Sequence, residues 1–194
     1  MLPIIAYHLT FTTYGFWLPN DPRGSGSRVV WSEPLAAHGA ATFVADRRRS
    51  RARCAHDPAV RVAAQADLKH PPVLLDAARR AAVRRGLTVY TERTNEALEL
   101  AAVLKDHVHV LVHRGARQWE QIEAGVKAKA TLAMSEGSCH PFQPDGKGRR
   151  HTPWAENGWC TYLHNDEDVE RTRRYIRKNL ARAGLSGELW QNSV

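Results

Sequence analysis

The stretch KDHVHVLVHR, at 105–114, places metal-binding residue types at regular spacing. Its valines alternate with a second set of side chains that includes His107, His109 and His113. In a β-strand successive side chains point to opposite faces, so the valines can face a core while the histidines share the other face. Histidines at i and i+2 have Cα atoms roughly 6.5–7 Å apart, close enough to bind one divalent ion. His113 lies roughly 13 Å beyond His109 and is too distant for that ion. The pattern predicts a two-histidine metal site, although HxH motifs also arise by chance at polar surfaces.

A second group of chemically competent residues lies in DVERTRRYIRKNLARAG, near the C-terminal end. This segment has an apolar stripe at helical spacing, formed by Val169, Ile176, Leu180 and Ala183. Tyr175 and Asn179 are four residues apart on one shoulder of the stripe, flanked by Arg171 and Lys178. Tyrosine is a poor nucleophile at a pKa near 10, so it needs an electrophile that a metal polarises. We interpret Tyr175 as a nucleophile beside a metal site; an edge aromatic with its hydroxyl in water is the alternative.

The elements that must position these residues follow from periodicity and turn chemistry. Besides the histidine segment, strands are predicted at Ile4–Thr13, Leu98–Leu104 and Gly158–Leu163. Helices are predicted at Val73–Arg85, ended by Gly86, at Gln118–Ser135, and from the capping residue Asn165 to Gly184. The segment Leu87–Arg93 is predicted to be a strand or its beginning.

This order of elements predicts an α+β fold built on a ferredoxin-like (RRM-like) β-α-β-β-α-β sheet, with both crossover helices on one face. The final helix is then available to cover the histidine-bearing face. The irregular sequence at about 28–70 is predicted to be an insertion after the first strand that carries short helices, within a single domain spanning 1–194. Its basic run at 47–53 is a solvated surface or an arm that contacts nucleic-acid backbone.

Composition points to a polyanionic partner. The chain has 28 Lys and Arg against 20 Asp and Glu, a net charge of +8, which favours nucleic acid. No run of about 18 apolar residues is present, so no membrane span is expected. Three widely spaced cysteines (Cys54, Cys139 and Cys160) are typical of a reducing cytoplasm and argue against a disulfide framework or a cysteine-rich zinc site.

Taken together, three segments resemble the single-tyrosine HUH transposases, especially the group that includes the REP-associated tyrosine transposases. They are AYHLTFTTYGFWLPNDPRG, LKDHVHVLV, and WAENGWCTYL followed by VERTRRYIRKN. DHVHVLV resembles the HUH motif, and YIRKN matches the place where the family carries its nucleophilic tyrosine with an amide residue four positions on. The family often has glutamine there, whereas this chain has Asn179. The resemblance covers most of the chain except about 28–70.

The resemblance implies a transposase: a single-strand DNA endonuclease and strand transferase that works through a 5′-phosphotyrosine. It assigns the nucleophile to Tyr175 and the ligands of a divalent metal, Mg²⁺ or Mn²⁺, to His107, His109 and Asn179. It also implies hairpin or repeat-end DNA as the partner and a homodimer as the assembly.

Further residues are expected to contact DNA or to compete for these roles. The cations Arg171, Lys178, Arg149 and Arg150 are expected to hold phosphates. Trp154 is a candidate for stacking on unpaired bases, with core packing as the alternative. Tyr162 is a rival nucleophile, although packing under the last helix suits it better, and His8 is expected to be a satisfied polar residue near the site.

Two other functions fit parts of the sequence. An RRM-like sheet can bind single strands without catalysis, but the central strand lacks the aromatic ladder that such sheets use. A metal-dependent hydrolase of a small phosphate would need neither Tyr175 nor so basic a surface.

Overall fold

The structure is a computed structural model and describes residues 3–21, 24–25, 27–43 and 57–192. Its centre is an antiparallel sheet in the order β4-β1-β3-β2-β5. The strands are β1 (Ala6–Thr12), β2 (Leu98–Val103), β3 (His107–His113), β4 (Trp159–Leu163) and β5 (Trp190–Gln191). The predicted α+β, ferredoxin-like arrangement of the first four strands is confirmed, and the short β5 is an addition that the sequence did not predict.

Two long helices, α3 (Ala77–Thr94) and α4 (Trp119–Glu136), cover the valine face of the sheet. All three valines of β3 are fully buried in this core, together with Leu9 and Phe11 of β1. Packing both crossover helices on this face leaves the opposite face, with the histidines, for other elements.

The predicted end of the first long helix at Gly86 is wrong, and so is the strand predicted at Leu87–Arg93. Helix α3 begins after Asp76, whose carboxylate accepts a hydrogen bond from the Arg79 amide, and it continues through Gly86 to Thr94. A Cβ atom at Gly86 would lie 2.5 Å from the backbone of Ala130, so this glycine allows close contact between α3 and α4. Asn95, in the left-handed region at φ 54°, ends the helix.

Helix α5 (Asp166–Arg182) lies on the histidine face, as the sequence predicts. Asn165 caps its first turn by accepting a hydrogen bond from the Asp168 amide. Three of the four residues predicted for its apolar stripe (Val169, Ile176 and Leu180) are buried, whereas Ala183 is exposed. A 3₁₀ turn at Ser186–Glu188 then leads to β5.

The insertion contains two short helices, α1 (Glu33–Ala36) and α2 (Pro58–Ala66), that share a small apolar cluster around Leu18, Leu35 and Ala64. The basic run at 47–53 lies outside the described residues. Among the helices of the described part of the chain, none is both long enough and apolar enough to cross a membrane.

Candidate nucleic-acid processing site

The pairing of β1 with β3 places polar residues opposite the two histidines of the HxH motif. Thr10 is the cross-strand partner of His109, and Thr12 is the partner of His107. The two imidazole rings lie 4.8 Å apart between centroids, on the same face of the sheet. The spacing predicted from the strand period is therefore present in the structure.

His109 is buried and its two ring nitrogens differ. Nδ1 lies 2.9 Å from Thr10 Oγ1 and 3.1 Å from His8 Nε2. With a proton on Nδ1, His109 donates to these partners, which leaves a lone pair on Nε2. Within the described residues, Nε2 is buried without a hydrogen-bond partner.

The protonation states of His109 and its neighbour His8 follow from their burial. Burial lowers the pKa of His109 well below its ordinary value, and the neighbouring His8 and His107 lower it further. Burial also lowers the pKa of His8 to about 4. Both rings are therefore neutral at physiological pH, the state in which an imidazole nitrogen can bind a metal ion.

His107 is oriented by the residue that precedes it. Its Nδ1 donates a 2.6 Å hydrogen bond to the Asp106 carboxylate, which leaves Nε2 as the basic nitrogen. The hydroxyl of Thr13, which directly follows β1, donates to the Asp106 carbonyl oxygen at 3.1 Å. This hydrogen bond connects the end of β1 to the turn that contains Asp106. This carboxylate–histidine arrangement fixes tautomer and ring direction in the way that metal-binding histidines require.

Helix α5 brings Tyr175 over the same face. The buried side of the helix packs on Leu100, Leu111 and their neighbours, and this docking leaves Tyr175 on its shoulder. The Tyr175 ring lies 5.3 Å from the His109 ring and 5.6 Å from the His8 ring, both in edge-on orientation. Tyr175 is 47% exposed, so its phenol combines contact with the histidines and access to solvent. One chain is sufficient to bring the tyrosine and the histidines together.

His113, at the far end of β3, has a different environment. Its Nε2 lies 2.7 Å from the Glu99 carboxylate, which also accepts hydrogen bonds from Arg173 at 2.5 and 2.8 Å. The Arg173 hydrogen bond lowers the pKa of Glu99 against the opposing effect of burial, and His113 lowers it further. This ionic cluster joins β2, β3 and α5, so it holds the helix that carries Tyr175.

The remaining predicted site residues do not contact the two histidines of the HxH motif in this structure. Asn179 lies one turn after Tyr175, and its amide nitrogen donates to the Tyr175 carbonyl at 2.8 Å rather than to a histidine. Arg171 is ion-paired with Asp168, and Lys178 is exposed on α5. Arg149 and Arg150 are exposed on a different element, the loop before β4, where Arg149 pairs with Asp145.

Two aromatic residues do not fit the site. The structure contradicts the prediction that Trp154 stacks on bases: it is 2% exposed, packs edge-on against Phe11, and donates its indole N–H to Thr131. Tyr162, the rival nucleophile, is the cross-strand partner of Tyr7, whose side chain lies in the core on the valine face. Since Tyr162 contacts the Tyr7 ring at 5.9 Å, it lies on the side of the sheet opposite the histidines.

Three residues next to the histidine pair were not predicted from the sequence to act on it. His8 and Thr10 contact His109, and Asp106 orients His107. Alternation in the first strand places His8 and Thr10 on one face, but only the register between β1 and β3 brings them to His109. Asp106 is adjacent to the motif, so its role as an orienting carboxylate could be anticipated from the sequence.

The residues present are compatible with a divalent ion at the histidine pair. In the described part of the chain, no group of three or more His, Cys, Asp or Glu residues is arranged to hold a metal. The donor set is therefore two imidazole nitrogens, with further ligands from amide, water or phosphate oxygens. The buried, unpartnered Nε2 of His109 is the observation that favours such a ligand.

No protein-family model and no curated protein matches this sequence. Among solved structures, the chain is similar to a REP-associated tyrosine transposase bound to a REP hairpin. The two share 11% identity and a TM-score of 0.49, over 95% of this chain and 72% of the other. A likeness at this level does not assign any residue or activity to the present chain.

Proposed function

We propose that the chain is a metal-dependent single-strand DNA endonuclease and strand transferase of the tyrosine HUH transposase type. The observation that carries this proposal is the position of Tyr175. Its half-exposed ring lies 5.3 Å, between ring centroids, from buried His109, whose Nε2 has no hydrogen-bond partner among the described residues. A nucleophile, two neighbouring imidazoles and a net positive charge occur together in this chain, and attack on a DNA phosphate would use all three.

In this proposal the Tyr175 oxygen forms a bond to the scissile phosphorus as the phenol loses its proton. The bond from phosphorus to the 3′ oxygen of the preceding nucleotide breaks, and that oxygen leaves with a proton as a 3′-OH. The downstream strand remains on Tyr175 as a 5′-phosphotyrosine. Attack by the 3′-OH of another strand reverses the step, joins the DNA and restores the phenol.

The neighbouring residues supply orientation and charge. His107 and His109 would hold Mg²⁺ or Mn²⁺ with the Asn179 side-chain oxygen as a third ligand, and the bound ion would polarise the scissile phosphate. The Asp106 carboxylate accepts from Nδ1 of His107 and so leaves its Nε2 for a metal ion, and the Thr10 hydroxyl is placed to accept from Nδ1 of His109 in the same way. The cations on α5, Arg171 and Lys178, flank Tyr175 and suit the DNA backbone.

Partner and assembly belong to the same proposal. Hairpin or repeat-end DNA is the substrate we propose, with Arg149 and Arg150 on the loop before β4 as additional backbone contacts. We propose a homodimer as the assembly, in which the two copies of Tyr175 would each hold one DNA end. A cytoplasmic location, where DNA is accessible and cysteine thiols stay reduced, agrees with this activity.

The test is covalent capture of DNA. A pool of randomised single strands, some able to form hairpins, is labelled at the 3′ end and incubated with the protein and Mn²⁺, with and without EDTA. We expect a labelled protein band on a denaturing gel that disappears with EDTA. Binding without such a band at any divalent metal would contradict the proposal and favour a non-catalytic RRM-like module instead.

A further inference from the structure

A cavity of about 460 Å³ opens beside the histidine pair, between β1, the loop at 14–19 and the insertion. Its wall includes Thr10, Thr12 and Trp159. A larger groove of about 1020 Å³ follows α4 and shares part of its wall with the cavity, at Tyr14 and at 155–158, but Thr10, Thr12 and Trp159 do not line it. The smaller cavity is therefore the one connected to the proposed chemistry.

The strand register fixes how close the cavity is to His109. Trp159 is the cross-strand partner of Thr10, and Thr10 is the partner of His109, so the three form a row on one face. Two strand spacings, about 10 Å, separate the ends of this row. One nucleotide can cover that span, with its phosphate at the histidines and its base in the cavity.

The aromatic part of the wall is held firmly in place. Trp17 lines the cavity with its ring 6.3 Å from that of His107. Its backbone is in the left-handed region at φ 53°, which is strained for a tryptophan and is a feature that clusters at binding sites. Gly15, two residues before Trp17 and at φ 85°, packs so closely on Pro72 that a Cβ atom would lie 2.8 Å from it. The Gln65 side chain donates a hydrogen bond to the Gly15 carbonyl at 2.8 Å.

The charges of the lining favour a base over a phosphate. Asp67 and Glu156 line the cavity, and Lys69 is the cation among its lining residues. One Asp67 oxygen contacts His38 at 2.6 Å. The other Asp67 oxygen and the Glu156 carboxylate can accept hydrogen bonds from the edge of an uncharged base, whereas their negative charge repels a phosphate. Indole rings bind bases by stacking, as in other proteins that hold single strands.

From this geometry we infer that the cavity binds one unpaired nucleobase next to the scissile phosphate and so selects the position of cleavage. The inference rests on the proposed function, because that function places a phosphate at the histidine pair. It assigns a specificity role to Trp17 and Trp159, and Ser32, Leu35 and residues 67–69 of the insertion form the outer wall of the cavity.

The test compares base preferences among captured strands. Randomised single-stranded DNA is incubated with the full chain and Mn²⁺, and the strands attached to protein are sequenced. For the wild type we expect a preference at one position adjacent to the cleaved bond. Trp17→Ala should lose the preference at that position by about tenfold in enrichment while keeping preferences elsewhere. The control Trp31→Ala, which is 90% exposed and outside the cavity lining, should keep them all.

A second variant guards against loss of folding in Trp17→Ala. Ser32→Phe places a ring at the cavity wall, and Ser32 makes no side-chain capping bond to α1, so the change removes no cap. It should erase the same preference as Trp17→Ala. Retention of that preference by both variants would overturn the inference. If the wild type attaches no DNA, the proposed function fails. Base preferences are then compared among the strands that the wild type and the two variants retain by binding. If the variants show the same preferences as the wild type in that comparison, the cavity does not bind a base.

Discussion

His109 and His113 lie on the same face of β3, four residues apart, yet their surroundings differ in kind. His113 is part of an ionic cluster with Glu99 and Arg173 in which the charged groups satisfy one another. His109 is more deeply buried, and its Nε2 has no partner among the described residues. The proposal of a metal ion at His109, and not at His113, rests on this difference.

The difference has an energetic meaning. A buried polar atom without a hydrogen bond costs about 1–3 kcal/mol, whereas a satisfied ionic cluster carries no such penalty. In the proposed function, a bound metal ion would complete the bonding of this atom. The same comparison separates residues whose loss should stop the chemistry from residues whose loss should loosen the helix that carries Tyr175.

The largest expected effect is on cleavage when His109 is lost. His109→Ala should lower the rate of adduct formation by about 100-fold or more, because it removes a group proposed to stabilise charge at the phosphate. Affinity for single-stranded DNA should change little, since backbone contacts come from cations elsewhere. Single-turnover cleavage and filter binding measure the two quantities.

His113→Ala is the matched control from the same strand and face. It should leave the cleavage rate within about twofold and cost only a few tenths of a kcal/mol, because this imidazole is the more exposed partner in its contact with Glu99. Equal loss of cleavage in both variants would mean that the two histidines do not differ as the structure indicates.

The next largest effect is on the pH dependence of folding stability, through Glu188 in the segment that follows α5. Hydrogen bonds from Arg80 and also from Arg84 lower the pKa of Glu188 to about 2, from an ordinary value of 4.5. A carboxyl with a lowered pKa in the folded state contributes stability above its unfolded pKa and loses it on acidification. This contribution, up to about 3 kcal/mol, should be complete above about pH 4.5 and disappear as the pH falls toward 2.

Urea unfolding of the wild type and Glu188→Gln across that range provides the measurement. The difference between the two free energies of unfolding should be largest near neutral pH and shrink on acidification. A difference that grows as the pH falls would contradict the assigned role of Glu188.

A smaller effect is expected at the cluster that fastens α5. Glu99→Gln keeps the shape of the side chain but removes the charge that pairs with Arg173. Because the pair is partly exposed, the change should cost about 1–2 kcal/mol in the free energy of unfolding. Cleavage should fall several-fold through looser positioning of Tyr175, without loss of metal dependence. A double-mutant cycle with Arg173→Ala checks the coupling, and strict additivity would contradict it.

Much of this arrangement could be predicted from the sequence, because period-2 alternation and helical spacing are local signals. They predicted the histidine strand, the side of the sheet that α5 covers, and the cap at Asn165. Gly86 was misinterpreted because a glycine that ends a helix and one that allows two helices to touch look the same in sequence. The Glu99–Arg173 pair joins residues 74 positions apart, so only the folded register reveals it. For Trp154 the sequence left base stacking and core packing open, because only the folded structure shows that its ring packs on Phe11 and contacts Thr131 of α4.

The most direct test of the central claim is to identify the residue that carries DNA. The wild type is trapped with single-stranded DNA and Mn²⁺, the DNA is trimmed, and the protein is digested for mass spectrometry. The nucleotide should be on the peptide that contains Tyr175, and Tyr175→Phe should form no adduct while still folding and binding DNA. Tyr162→Phe, on the opposite side of the sheet, should form the adduct as the wild type does. A nucleotide found on Tyr162, or wild-type cleavage by Tyr175→Phe, would contradict the account.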